Sequence, residues 1–328
     1  MDDLSIDAPV FWIFTTLLMV LTAATVVGQL LRRQTEIGVN PAVVEQLNLR
    51  VRSWWMLTAM LAIGALLSPR ATVALFGFLS FWALREFITL TPTRYADHRA
   101  LFWVFFVFTP LQFYLVATDQ YEIYSILIPV YAFLFIPARI ALAGDFKRYL
   151  ERCTTIQTGL MICVYCLSYA PAMLSLKVDR LAADNTIMKS TSFLPLLFFF
   201  IIVALSDAFH YVCEKLMGKH LIAPAISQNK TWEGFLGGLG CASLGGMALY
   251  WASPFKAPQA AMMAALISAM GYCGGLTMSA IKRDRGVKDY GTLLVGHSGV
   301  LDRIDSICFA APIFYHVTKY LVSQGLTG

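Results

Sequence analysis

Ser279-Ala280-Ile281-Lys282-Arg283-Asp284-Arg285-Gly286-Val287-Lys288-Asp289 begins a stretch that runs on through Tyr290-Gly291-Thr292-Leu293-Leu294-Val295-Gly296-His297-Ser298-Gly299. It closes with Val300-Leu301-Asp302-Arg303-Ile304-Asp305-Ser306. Five cations, four carboxylates, a histidine and four glycines fall within these 28 residues, in a chain where only 14% of residues are charged. Lysine and arginine grip phosphate oxygens, carboxylates hold hard divalent cations, and glycine lets backbone N–H groups come close to an anion. Two readings fit: a phosphate-and-metal site, or a basic loop anchoring the chain at the cytoplasmic face of a membrane.

Outward from that stretch the chain is greasy. Its mean hydropathy is +0.65 over 328 residues. Charged groups are expensive at a bilayer centre, so this composition marks an all-α polytopic integral membrane protein. Apolar runs near 9–30, 53–68, 71–90, 100–118, 122–142, 155–176, 191–212, 232–253, 258–281 and 304–323 predict ten transmembrane helices, or nine. The second and third runs are separated by Ser68-Pro69-Arg70 and read as a tight hairpin or a re-entrant pair. With the N-terminus outside, nineteen Lys and Arg fall in cytoplasmic segments and six on the other side, the asymmetry of the positive-inside rule. Both polar regions then face the cytoplasm, where nucleotides are. The acidic start has no basic region and no cleavage-site pattern, so Pro9–Leu30 reads as a retained span. Loop anchoring accounts for the net charge of +5, which argues against a nucleic-acid partner. Cys163 and Cys166 lie one turn apart inside an apolar run and read as packing residues.

The second polar region follows the seventh run. Ser206-Asp207-Ala208-Phe209-His210 closes that run, and Gly218-Lys219-His220 and Ser227-Gln228-Asn229-Lys230-Thr231-Trp232-Glu233-Gly234 come after it. A carboxylate at Asp207, near a membrane boundary, reads either as a functional group or as a helix-end charge reaching water. Thr231, Trp232 and Glu233 read as an N-cap, an interfacial ring and a first-turn acid at the start of a helix. Arg85 and Glu86 read as a snorkelling cation and a bundle-facing acid, or as a cavity wall. Phe198–Phe200 is bulk, and His316 a satisfied core or interface residue.

Both polar regions resemble the phosphatidate cytidylyltransferase (CDP-diacylglycerol synthase) family. Its signature runs Ser-x-x-Lys-Arg, four residues, Lys-Asp, Pro-Gly-His-Gly-Gly, two residues, Asp-Arg-x-Asp-Ser. Ser279, Lys282, Arg283, Lys288, Asp289, Gly296, His297, Gly299, Asp302, Arg303, Asp305 and Ser306 stand at matching positions. Upstream, Ser227, Lys230, Thr231, Trp232, Glu233 and Gly234 match a Ser-Pro-Lys-Lys-Thr-Trp-Glu-Gly segment. The departures are Val295 for Pro, Ser298 for Gly, Gln228 and Asn229 for Pro and Lys, and Gly275 where the family has a metal-binding Asp.

The resemblance implies transfer of CMP from CTP to phosphatidic acid, giving CDP-diacylglycerol and pyrophosphate. It implies catalytic roles for Lys282, Arg283, Lys288, Asp289, His297, Asp302 and Arg303. Substrate contacts would come from Ser227, Lys230, Thr231, Ser279, Gly296 and Gly299. Mg²⁺ ligands would be Asp289 and Asp302, helped by Asp305 and Asp207. Residues 1–190 would be supporting, lipid-facing helices, and 191–328 a catalytic membrane domain with cytoplasmic motif loops at 213–231 and 282–303. The expected setting is a bacterial-type inner (cytoplasmic) membrane, with the active site facing the cytoplasm, bilayer lipid as partner and a homodimer compatible with the chain. Two other enzymatic readings stand beside it, a catalytically weakened paralogue and a CTP-dependent lipid kinase. A transporter would explain charges within spans but not a signature concentrated in one loop.

Overall fold

Every one of the ten apolar runs is helical in the computed structural model, which describes residues 8–33, 41–91, 93–176, 179–181, 187–189, 193–287 and 299–325. The helices are α1 (Ala8–Arg33), α2 (Pro41–Leu67) and α3 (Pro69–Thr89), then α4 (Tyr95–Ala117), α5 (Tyr121–Ala141) and α6 (Tyr149–Ser175). α7 (Phe193–Met217), α8 (Trp232–Ala248), α9 (Ala257–Asp284) and α10 (Leu301–Ser323) complete the set. α4, α5 and α6 each contain a π-helical turn, at Val104–Phe108, Leu127–Ala132 and Met161–Cys166. The first two lie next to or across Pro110 and Pro129, whose nitrogens cannot donate to the preceding turn. The Thr109 hydroxyl donates to the Val104 carbonyl at 2.8 Å, occupying an acceptor within the widened turn.

Among the described residues, six helices, α3 to α7 and α9, are long and apolar enough to cross a membrane. The expected count of ten spans, or nine, is not reached on those grounds. α1 and α2 contribute only the shorter apolar stretches Leu17–Leu30 and Trp54–Leu67. α8 has 17 residues, too short on its own for a 30 Å hydrocarbon core. α10 carries Asp302, Arg303 and Asp305 in its first turns. The chain is an integral membrane protein and is predominantly helical. One departure from all-α is a short antiparallel pair between α6 and α7, β1 (Asp179–Leu181) with β2 (Ile187–Lys189), in which Arg180 faces Met188.

Two compact units divide the chain, Met1–Thr72 and Val73–Gly328. In the first, α1 and α2 pack together: the Trp55 indole donates to Thr25 Oγ1 at 3.0 Å, and Leu21, Val51, Leu57 and Leu61 are buried. Ser68 does not open a loop between α2 and α3. Its hydroxyl accepts the Ala71 N–H at 3.1 Å, capping α3 directly ahead of Pro69, a residue favoured in a first helical turn.

The larger unit places the site. α7 packs on α8 and α9, α8 on α9, α9 on α10, and α10 on α6. The glycines of α8 allow this closeness: a Cβ at Gly238 would meet the His210 ring, and one at Gly246 would lie 2.8 Å from the Ala260 carbonyl. Below the site Phe198, Phe199 and Phe314 are fully buried, so the phenylalanine run faces the bundle. His316 is also satisfied, 3.3 Å from the Tyr121 hydroxyl.

Candidate active site

The segment from α7 to α8 is held by its polar residues. Thr231 has extended backbone and its hydroxyl accepts the Gly234 N–H at 3.1 Å, so it caps α8 as expected. Glu233, in the first turn, reaches back to accept the N–H groups of Lys219 and His220, both at 3.1 Å, and pairs with the His220 ring. The Ile222 N–H donates to the Lys230 carbonyl, and the Trp232 N–H to the His220 carbonyl. This closes the segment on itself and directs the Lys230 side chain toward α9. Arg283, at the end of α9, donates to the Ile226 carbonyl at 3.2 Å and ties the two motif regions together beside Ser227.

Lys230 Nζ lies 3.9 Å above the Tyr272 ring and 3.4 Å from the Tyr272 carbonyl. The Tyr272 hydroxyl in turn donates to the Thr231 carbonyl. A Cβ at Gly275, one helical turn on, would lie 3.0 Å from Lys230 Nζ and 3.6 Å from Asp305 Oδ2. Position 275 therefore looks into the same space as Lys230 and Asp305. Asp207 of α7 joins them through Ser306. The Ser306 hydroxyl donates to Asp207 Oδ1 at 3.0 Å and its N–H to Asp305 Oδ1 at 2.8 Å. One turn toward the start of α10, Asp302 Oδ1 accepts from Lys282 Nζ at 2.7 Å, both side chains being largely buried. Asp302 and Asp305 are three residues apart and share a helix face. Three helices and one loop thus bring Asp207, Lys230, Lys282, Asp302 and Asp305 into one polar cluster among apolar packing.

The remaining expected residues are distributed differently. Ser279 gives its proton to the Gly275 carbonyl at 2.7 Å, within its own helix. Arg283 is exposed, Arg303 half-buried, and Gly299 buried just ahead of α10. Lys288, Asp289, Gly296 and His297 lie outside the described residues, as do Val295 and Ser298. Among the described residues no three His, Cys, Asp or Glu side chains form a group that could hold a metal ion. The oxygens of Asp207, Asp302 and Asp305 are nonetheless hard donors of the type Mg²⁺ takes.

Two residues escape sequence reasoning. Tyr272 carries no signal, being one aromatic in an apolar run. Glu86 of α3 was legible as a bundle-facing acid or part of a cavity wall, but not as the partner of a distant helix start. In the structure its carboxylate accepts the Val300 N–H at 3.0 Å, the Leu301 N–H at 2.9 Å and the Trp82 indole N–H at 3.2 Å.

An ion-pair group built on the buried Arg152 and Asp97 reaches out to the more exposed Asp145 and Arg94. Arg152 pairs with Asp97 and with Asp145, each at 3.0 Å, and Arg94 with Asp145 at 3.1 Å. The Lys147 N–H, followed by the Arg94 and Arg152 guanidiniums, holds the Asp145 carboxyl below its ordinary value. Arg285, just past α9, reaches Thr155 Oγ1 at 3.4 Å on α6.

The sequence profile of the cytidylyltransferase family matches residues 48–321, and the chain belongs to that family. It is 32% identical over 277 residues to the uncharacterized protein YnbB of Escherichia coli (strain K12), a match covering 84% of this chain and 88% of the other. It is 42% identical over 120 residues to the phosphatidate cytidylyltransferase of Staphylococcus aureus (strain COL), covering 36% of this chain and 46% of that one. The Staphylococcus haemolyticus (strain JCSC1435) enzyme of the same name is 40% identical over an equal length. The chain thus matches less than half the length of these staphylococcal enzymes.

Proposed function

We propose that this protein transfers CMP from CTP to phosphatidic acid, forming CDP-diacylglycerol and pyrophosphate for phospholipid synthesis. The observation that carries the reading is the cluster itself. Lys230 and Lys282 stand among Asp207, Asp302 and Asp305, where two motif regions meet, Lys230 lying 52 residues before Lys282 and 75 before Asp305. The family membership and the partial likeness to phosphatidate cytidylyltransferases support it.

The chemistry asks little of a protein nucleophile. A phosphate oxygen of the lipid, ionised at neutral pH, attacks the α-phosphorus of CTP. The bond from that phosphorus to the oxygen bridging to the β-phosphate breaks, and pyrophosphate leaves with the electron pair. Repulsion between two anions and charge growing on the leaving group make the barrier, so positioning and electrostatic stabilisation are what the site must supply. Lys230 and Lys282 carry positive charge to phosphate oxygens, with Arg283, Lys288 and Arg303 at the edges. Ser227, Thr231, Ser279 and the Gly296 and Gly299 backbone shape the walls, and His297 the loop. The all-oxygen donor set suits Mg²⁺, which Asp302, Asp305 and Asp207 would hold together with Asp289. When bound, that ion neutralises phosphate charge. Helices before residue 190 serve as scaffold, and the site faces the cytoplasm of a bacterial-type inner membrane, where CTP is present. A homodimer is compatible with this arrangement.

The test is purified protein with CTP labelled at the α-phosphate and phosphatidic acid, with and without Mg²⁺. Label should enter the lipid with stoichiometric release of pyrophosphate, and only with the metal. Label recovered as CDP with a newly phosphorylated lipid, or no label in lipid at all, would overturn the reading.

A further inference from the structure

Helix α10 begins with Leu301, and the position before it is Val300, whose side chain can accept nothing. The first N–H groups of a helix have no intrahelical partner and are ordinarily met by a Ser, Thr, Asp or Asn at that point. Here the acceptor comes from 214 residues earlier in the chain: Glu86 takes the Val300 and Leu301 N–H groups with its two oxygens. Glu86 is 8% exposed, and its Oε1, which takes the Val300 N–H, also accepts the Trp82 indole N–H at 3.2 Å. An anion at this end also meets the positive pole of the helix dipole, and hydrogen bonds to an ionised acceptor are the stronger kind.

The placement of this contact bears on the site. Leu301 immediately precedes Asp302, and Asp302 is the residue that Lys282 reaches from α9. Gly299 precedes Val300, so the chain entering the helix has little stiffness of its own. Among the described residues, the side chain that takes these two N–H groups comes from α3, outside the signature.

We propose that Glu86 is a positioning residue for cytidyl transfer: by holding the Val300 and Leu301 N–H groups where α10 starts, it sets where Asp302 and, one turn on, Asp305 stand. This rests on the function proposed above. It predicts that losing the contact lowers turnover while leaving substrate capture little changed, because Lys230 and Arg283 are held by other partners.

The experiment uses the full-length protein in detergent, comparing wild type with Glu86→Gln and with Glu86→Asp. Glutamine keeps the shape but presents an N–H₂ where one N–H needs an acceptor. Aspartate keeps the charge but is one methylene too short to serve both groups, and it remains informative if Glu86→Gln fails to fold. Hydrogen exchange of the Val300 and Leu301 amides should speed up at least tenfold in either variant. For each, kcat should fall about tenfold or more, KM for CTP should stay within about twofold, and the Mg²⁺ concentration for half-maximal rate should rise. Unchanged exchange would show that the contact does not hold the helix. Faster exchange with unchanged kcat per folded molecule would reduce Glu86 to a structural cap and overturn the proposal. If the wild type transferred no CMP, the proposed function would fall, and with it the catalytic half of this inference, while exchange would still decide the anchoring half.

Discussion

The pairing of Lys282 with Asp302 gives the sharpest test of how the site is built. At 2.7 Å, with the side chains 16% and 10% exposed, an effective dielectric of 20 gives a gross attraction of roughly 6 kcal/mol. Desolvation and ordering offset most of it, leaving a pairwise coupling of about 2 kcal/mol. Asp302→Asn deprives a largely buried ammonium of this carboxylate, and Lys282→Met does the converse. Each single variant should lose about 3 kcal/mol, and the double variant about 4 rather than 6, because the second change removes the charge that the first exposed. At roughly 2 °C per kcal/mol for a chain of this size, the single variants should melt about 6 °C lower and the double about 8 °C lower. The assay is thermal unfolding of all four proteins at one pH and salt concentration, with CMP transfer measured on the folded fraction. Additive losses, within about 0.5 kcal/mol, would refute a direct buried pair. So would a single variant with unchanged melting.

Three further outcomes follow from particular contacts. Gly275→Asp places a carboxylate in the space shared by Lys230 and Asp305, and should lower the Mg²⁺ concentration needed for half-maximal CMP transfer, with a modest fall in melting temperature; a folded variant with the wild-type Mg²⁺ requirement would show that position 275 does not face the metal. Because the folded-state value of Asp145 is depressed, its ion pairs stabilise the protein above the ordinary carboxylate range near pH 4 and lose that contribution as pH falls through the lowered value. Asp145→Asn should flatten the acid limb of a melting-temperature profile below about pH 4, and an unchanged limb would remove Asp145 from that account. Single cysteines at positions 92 and 286, in a cysteine-free background, should label only from the cytoplasm and one at 183 only from outside; labelling of 183 and 286 from one side would overturn the expected topology.

Much of the helix pattern was legible without coordinates, because an apolar run must bury its backbone polar groups in a helix wherever water is absent. All ten runs are helices, and Thr231 caps α8 as its residue type foretold. Span number was less legible. Length and hydropathy alone do not separate a helix crossing a bilayer from one packed among neighbours, and α8 and α10 are apolar through glycine or through buried contacts.

The sequence by itself determined which chemistry is present: lysines, carboxylates and glycines at fixed spacing in two polar regions of a membrane chain, because residue type sets charge and donor character wherever the chain goes. Only the tertiary structure decided which of these groups meet. Asp207 reaches Asp305 through one serine, Lys230 lies over Tyr272 beside Gly275, and Glu86 holds a helix more than two hundred residues away. Such contacts join segments whose separation along the chain carries no periodic signal. They arise because a charge or an unpaired N–H left in a low-dielectric interior must find a partner, and packing alone determines which partner is within reach.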